Sequence, residues 1–186
     1  MGIVEIFLIG VSLSMDAFAI SVCKGLSQKK TTLRHCLTAG AYFGIFQALM
    51  PLIGYFLAGT VAAKIAGFSH YIAFGLLLLI GGNMIRESFS GEDGDDDPSM
   101  SFRVMIPLAV ATSIDAFAVG VSFALVDVNI VPAVILIGAT TFVISGIGIK
   151  LGGFVGSRFS KAAGIAGGAV LVLLGIKILL EGIGII

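Results

Sequence analysis

Tryptophan is absent from this sequence, histidine and cysteine occur twice each, and charged residues make up only 12% of the chain. A soluble domain of ordinary composition carries roughly 25% charged residues. With 58% hydrophobic residues and a mean hydropathy of +1.12, the ordinary cytosolic enzymes are excluded. No basic stripe interleaved with aromatics appears, so a nucleic-acid role has nothing to stand on. There is no nucleotide-binding loop or soluble ATPase domain, and no cofactor is expected. The 11 basic and 11 acidic residues cancel, but they are spread very unevenly.

What the sequence does contain is apolar runs near the length needed to cross hydrocarbon roughly 30 Å thick. Six are expected, at about Ile3–Val22, Leu37–Ala58, Tyr71–Phe89, Val104–Val126, Val131–Ile149 and Ala162–Ile183. The fold class is an all-α integral membrane protein in contact with the lipid bilayer. Met1-Gly-Ile-Val-Glu lacks the positive region of a cleavable signal, so the first run is expected to stay as a helix. Residues 90–103 form a polar linker between three spans in 1–89 and three in 104–186. Five of the six residues Glu92–Asp97 are acidic, without the flanking pattern or terminal glutamate of a calcium loop. A solvated linker is the simpler reading.

Basic residues set the orientation. Lys24, Lys29, Lys30 and Arg34 surround the first connection, Arg86 and Arg103 the third, and Lys150, Arg158 and Lys161 the fifth. The second holds only Lys64 and the fourth no basic residue. The positive-inside rule then places the odd connections in the cytoplasm and both termini outside. Cys23 and Cys36 flank the first connection, where cytosolic conditions keep thiols reduced.

One phrase occurs twice. Ser14-Met-Asp-Ala-Phe-Ala19 lies in the first span and Ser113-Ile-Asp-Ala-Phe-Ala118 in the fourth. The second and fifth spans match through Gly40-Ala41 with Gly138-Ala139 and Gly54 with Gly152. The third and sixth match weakly, Asn83 with Lys177 and Glu87 with Glu181. A unit of three spans has an odd number of crossings, so its second copy enters from the opposite side. Inverted repeats of this kind belong to secondary transporters whose site lies near the midplane, and a transporter rather than an enzyme is expected.

Asp16 and Asp115 both fall near mid-depth. Each costs on the order of 3 kcal/mol to insert, so a pair without a role is improbable. In low dielectric, two neighbouring carboxylates either share a proton or hold a cation between them. Both residues are therefore expected to bind a metal cation and to exchange protons with it. Gln47 precedes Pro51 by four residues, and proline cannot bond to the Gln47 carbonyl, which leaves an amide and a freed oxygen together. Gln47 and Asn83 are the next ligand candidates. Accessory candidates are Ser12, one turn before Asp16, then Ser14 and Ser113, and Glu87, Lys177 and Glu181 near the other spans' ends. Snorkelling alone accounts for Glu87 and Glu181. A resident Lys177 would weaken a cation site.

The candidate donors are carboxylate, amide, hydroxyl and carbonyl oxygens, with no histidine or cysteine at mid-depth. Such a set suits manganese or magnesium better than copper or zinc. Exporting a divalent cation against an inside-negative potential costs about 2.3 kcal/mol per charge per 100 mV. Exchange for two protons removes that electrical cost.

Over essentially its whole length the chain resembles the small bacterial manganese exporters of the MntP family. The likeness rests on Asp16-Ala-Phe-Ala19, Asp115-Ala-Phe-Ala118, Gly81-Gly82 and the acidic central segment. It implies Mn(II) export across the bacterial inner or plasma membrane, and kinship with the broader lysine and cation exporter superfamily. Lys177 has no place in the family pattern. Export of an amino acid or another small cation is the rival reading, and the small residues leave a homodimer open.

Overall fold

The computed structural model describes residues 2–28, 31–58, 71, 74–75, 77–79, 81–82, 85–86, 100–126, 128–156 and 160–184. Its helices are α1 (Ile3–Ser27), α2 (Leu33–Leu57), α3 (Phe102–Thr112), α4 (Ile114–Leu125), α5 (Ile130–Gly156) and α6 (Ser160–Gly182). The described residues between 71 and 86 are helical as well. Most of the acidic linker, together with Asn83 and Glu87, lies outside the described residues.

α1 and α2 have 25 residues each and α5 has 27, so at 1.5 Å per residue they run roughly 37–40 Å. Among the described residues these three helices are long and apolar enough to span a bilayer, and the bent pair α3–α4 makes a fourth. The chain is thus an all-α, multi-pass membrane protein. Its surface agrees: Leu8, Ile45, Phe56, Leu125, Ile135 and Phe154 are all exposed. A helix apolar on every side needs either protein or lipid around it.

Local sequence explains several ends. The Gly2 amide donates to Glu5 Oε2 at 2.9 Å, and that acid sits favourably at the positive end of α1. Lys24, expected in the connection, instead lies in the last turn of α1 and is buried. Its charge there complements the carbonyl end of the helix.

The fourth span departs from expectation. The sequence predicts one helix over Val104–Val126, but it breaks at Ser113, where α3 and α4 meet at 44°. Two hydroxyls compete for the helix's own acceptors just before the break. Thr112 Oγ1 donates to Leu108 O at 3.0 Å and to Ala109 O at 3.2 Å, and Ser113 Oγ also donates to Ala109 O. Back-bonding of this kind bends helices. In the first copy Leu13 takes the place of Thr112, and α1 runs through unbroken.

The buried apolar residues form two clusters. One takes Ala17, Ile20 and Cys23 from α1, Met105 and Leu108 from α3, and Ile149 from α5. The other takes Ile6 and Leu13 from α1, Ala116 and Phe123 from α4, and Ala133 and Ile137 from α5. Along α1, α2, α3–α4 and α5 alike, polar residues occupy the boundary. Ser14, Gln47, Thr112, Ser113, Thr141 and Ser145 are all buried.

Glycines set how close the helices come. A methyl group on Gly152 would overlap the carbonyl oxygen of Val22, and one on Gly54 that of Phe117. Small residues permit such approach where no hydrophobic force separates helix from lipid. The contacts also give directions. From Gly10 with Ile137 to Gly148 with Phe18, numbering rises together, so α1 and α5 are parallel. Gly44 meets Gly138 while Gly40 meets Phe142, so α2 and α5 are antiparallel. Leu77 meets Gly175 while Gly81 meets Gly168, so the segment around residue 80 runs antiparallel to α6.

Candidate functional site

Between the two apolar clusters, α1 is held from two sides at its repeated phrase. Ser14 Oγ bonds Gly10 O at 2.5 Å and lies 2.9 Å from Thr141 Oγ1 of α5. Thr141 Oγ1 in turn donates to Ile137 O at 2.9 Å. On the other side, Gln47 Nε2 of α2 donates to Leu13 O at 3.0 Å. These bonds fix the turn that carries Asp16, which is half-buried. Ser12 and Met15 face outward and are exposed.

The second copy of the phrase is built differently. Ser113 is buried at the break and Asp115 lies in the first turn of α4. Asp115 Oδ1 accepts the Ala116 amide at 2.8 Å. A helix start carries partial positive charge and unpaired amides, so it accommodates an ionised carboxylate there. At the preceding helix end the carbonyls of Leu108, Ala109 and Val110 accept from the Thr112 and Ser113 hydroxyls and the Ser113 amide. Asp115 is exposed beside the break, and the charge of Asp16 acts on it.

Neutral oxygens complete the surroundings. Gln47 is fully buried, and its Oε1 has no hydrogen-bond partner. Ser145 Oγ and Ser21 Oγ are likewise buried without one. An unmade hydrogen bond on a buried acceptor costs about 1–3 kcal/mol. Ser145 was not among the ranked sequence candidates. The signal was available, since aligning Gly40-Ala41 with Gly138-Ala139 sets Ser145 opposite Gln47.

Lys177 is exposed on α6, and Glu181 lies in α6 with its side chain outside the described residues. Among the described residues no group of three or more histidine, cysteine, aspartate and glutamate side chains converges. Cys23 is buried, Cys36 half-buried, and both are free thiols. The arrangement is two carboxylates and several neutral oxygens, a set suited to a hard divalent cation.

Comparison with known proteins gives a consistent result. Residues 30–179 match the family described as "Putative manganese efflux pump". Proteins carrying that description with the suffix MntP are similar from end to end. The Acetivibrio thermocellus protein is 49% identical over 187 aligned positions, covering 100% of this chain and 94% of its own. The Bifidobacterium adolescentis protein is 50% identical, covering 98% of each chain. That of Desulfitobacterium hafniense is 50% identical, covering 99% of this chain and 97% of its own. No solved structure matches.

Proposed function

The chain belongs to the manganese efflux pump family, and from that premise we propose that it exports Mn(II) from the cytoplasm, taking the ion on Asp16 and Asp115. The observation that carries this reading is the electrostatic coupling of the two aspartates. They come from the same phrase in opposite halves, Asp16 half-buried and Asp115 exposed, beside the polar residues that separate the two apolar clusters and within electrostatic reach of each other.

Two ionised carboxylates neutralise one divalent cation, which removes most of the cost of holding either charge at this depth. Gln47 Oε1 supplies a buried, unpartnered oxygen next to α1, and Asn83 is a further ligand. When the cation leaves, the two carboxylates repel each other, and protonation relieves that repulsion. The same two groups therefore bind Mn(II) on one side and return protons from the other. Two protons per ion make the cycle electroneutral, so the proton gradient drives export without a nucleotide.

The architecture proposed for this cycle is six spans in two inverted repeats. Helix directions support it. Spans separated by an even number of crossings are parallel, as α1 and α5 are, and those separated by an odd number are antiparallel, as α2 and α5 are. Under the positive-inside rule both termini lie outside the bacterial inner membrane.

The test is Mn(II) uptake into inside-out vesicles holding the purified full-length chain under an imposed proton gradient. Wild type accumulates the ion, and Asp16→Asn and Asp115→Asn each lose at least tenfold of the rate. Lysine offered to the same vesicles separates the amino-acid exporter reading. Mn(II) movement that is indifferent to both aspartates refutes the site.

A further inference from the structure

Two pairs of helices meet their surroundings in different ways. α2 exposes side chains along its whole length, at Leu33, Leu37, Ile45, Leu49 and Phe56, and α5 does so at Val131, Ile135, Phe142, Leu151 and Phe154. The two spans that carry the aspartates are exposed over one half only. In α1, Glu5, Leu8, Ser12 and Met15 are exposed, and among the described residues none is from Asp16 to Gln28. In the other span none is exposed from Val104 to Ile114, whereas Asp115, Ala118, Ser122 and Leu125 all are. Both open halves lie toward the start of α1 and the α4–α5 connection, the outer side in the orientation proposed above.

The repeat makes this a comparison of like with like. Counted from Asp16 and Asp115, Ser122 corresponds to Cys23, Ala118 to Ala19 and Ser12 to Ala111. Ser122 is exposed and Cys23 buried, Ala118 exposed and Ala19 half-buried, Ser12 exposed and Ala111 buried. Exposure therefore follows the side of the membrane and not the place in the repeat. The apolar clusters divide in the same way. On the cytoplasmic side, Phe43 of α2, Leu77 and Leu171 of α6 join the members from α1, α3 and α5. Among the described residues the outer cluster takes nothing from 71–86 or from α6. The cytoplasmic half of α1 also leaves no gap, since a methyl group on Gly25 would overlap Ile149 O and one on Gly152 would overlap Val22 O.

Polarity decides what fills the open half. The exposed positions of α2 from Leu37 to Phe56 and of α5 from Val131 to Ile147 are all apolar, as lipid requires. An ionisable group at mid-depth belongs instead in the bundle interior or in a water-filled cavity, and Asp115 is exposed with Asp16 half-buried beside it in charge. Asp115, Ala118 and Ser122, three and four residues apart, share one face of α4, and Ser122 stands roughly 10 Å outward of Asp115. Ser12 lies one turn, about 6 Å, outward of Asp16 on α1. Each carboxylate is thus followed outward by an exposed hydroxyl.

We propose that this fold is the outward-open state of the carrier, and that a water-filled cleft along Ser12 of α1 and Ala118 and Ser122 of α4 is the route between the aspartates and the outer side. Mn(II) leaves by it and protons enter by it. Ser12 and Ser122 offer neutral oxygens to a hydrated cation on the way, and the small side chain of Ala118 keeps the passage wide between them. The cytoplasmic cluster is the closed gate, and Cys23, the counterpart of Ser122, lies within it. The cargo and the sidedness rest on the Mn(II) export reading, but the one-sided opening rests on exposure and packing.

The test is thiol accessibility in the full-length chain, reconstituted in lipid vesicles and probed with a cationic, impermeant methanethiosulfonate. Ser12→Cys, Ser122→Cys and, on the lipid face of α2, Ile45→Cys are made with Cys23 and Cys36 replaced by alanine. Native Cys23 is read in a Cys36→Ala chain. The reacting species is the thiolate, which forms in water and not in lipid or a packed core. From the outer side, without metal, both serine positions react roughly tenfold faster or more than Ile45→Cys and Cys23. Labelled Ser122→Cys then loses most of the Mn(II) flux that it has before labelling. Equal rates at all positions, or reaction from the cytoplasmic side alone, overturns the open cleft. Unchanged flux after complete labelling overturns the route. Should Ser12→Cys fail to fold, Ser122→Cys decides alone. Labelling as described, with no Mn(II) flux in the wild type, overturns the Mn(II) reading and leaves the cleft standing.

Discussion

Gln47 offers a test in which stability and function move in opposite directions. Its Nε2 holds Leu13 O at 3.0 Å while Oε1 is buried with no partner. Replacing it by methionine keeps the length of the side chain and removes both polar atoms. The lost hydrogen bond is worth about 0.6 kcal/mol by the average found for buried pairs in membrane proteins. Removing the unpartnered oxygen returns about 1–3 kcal/mol. The variant is therefore at least as stable as wild type when no metal is present. If Oε1 contributes to Mn(II) binding, the same change weakens affinity by about tenfold, equivalent to ~1.4 kcal/mol. Both quantities come from one thermal-unfolding assay in detergent, in which a thiol-reactive dye reports exposure of the buried Cys23. The expected outcome is an unchanged or raised melting temperature without metal and a reduced upward shift with Mn(II). A variant destabilised by more than about 2 kcal/mol that keeps the full Mn(II) shift refutes the reasoning. In that case the amide only clamps α1, and the ion has other ligands.

Ser14→Ala leaves Thr141 bonded to Ile137 O, so it costs about 1 kcal/mol or less in the same unfolding assay. Gly152→Val forces a branched side chain onto Val22 O, and overpacking of that order costs at least about 1–3 kcal/mol. Reduced yield of folded protein in size-exclusion chromatography checks it. Asp115→Asn removes one of two titrating carboxylates, so the dependence of Mn(II) flux on pH becomes shallower as well as weaker, as measured across a pH series in vesicles. Cysteines introduced at Arg34 and at Asn129 should react with an impermeant maleimide from opposite sides of the membrane in a background lacking Cys23 and Cys36. Labelling of both from one side refutes the proposed orientation.

Transfer free energy alone makes a chain this poor in charge a membrane protein, and it needs no tertiary information. The recurrence of Asp16-Ala-Phe-Ala19 as Asp115-Ala-Phe-Ala118 likewise marks the carboxylates, because an intramembrane acid is expensive wherever the helices go. Other features depend on neighbours distant in the chain. Nothing near Gln47 in the sequence says that its amide reaches Leu13 O and leaves Oε1 without a partner. Ser145 is marked in the sequence only by standing opposite Gln47 in the repeat, and the fold decides that it is buried in α5. Near-identical phrases form an unbroken helix in α1 and a 44° break before α4, so local propensity cannot decide between those forms. The register of α1 on α5 is set by which glycine meets which carbonyl. The sequence places glycines on both helices, and only the packed structure decides which carbonyl each of them meets.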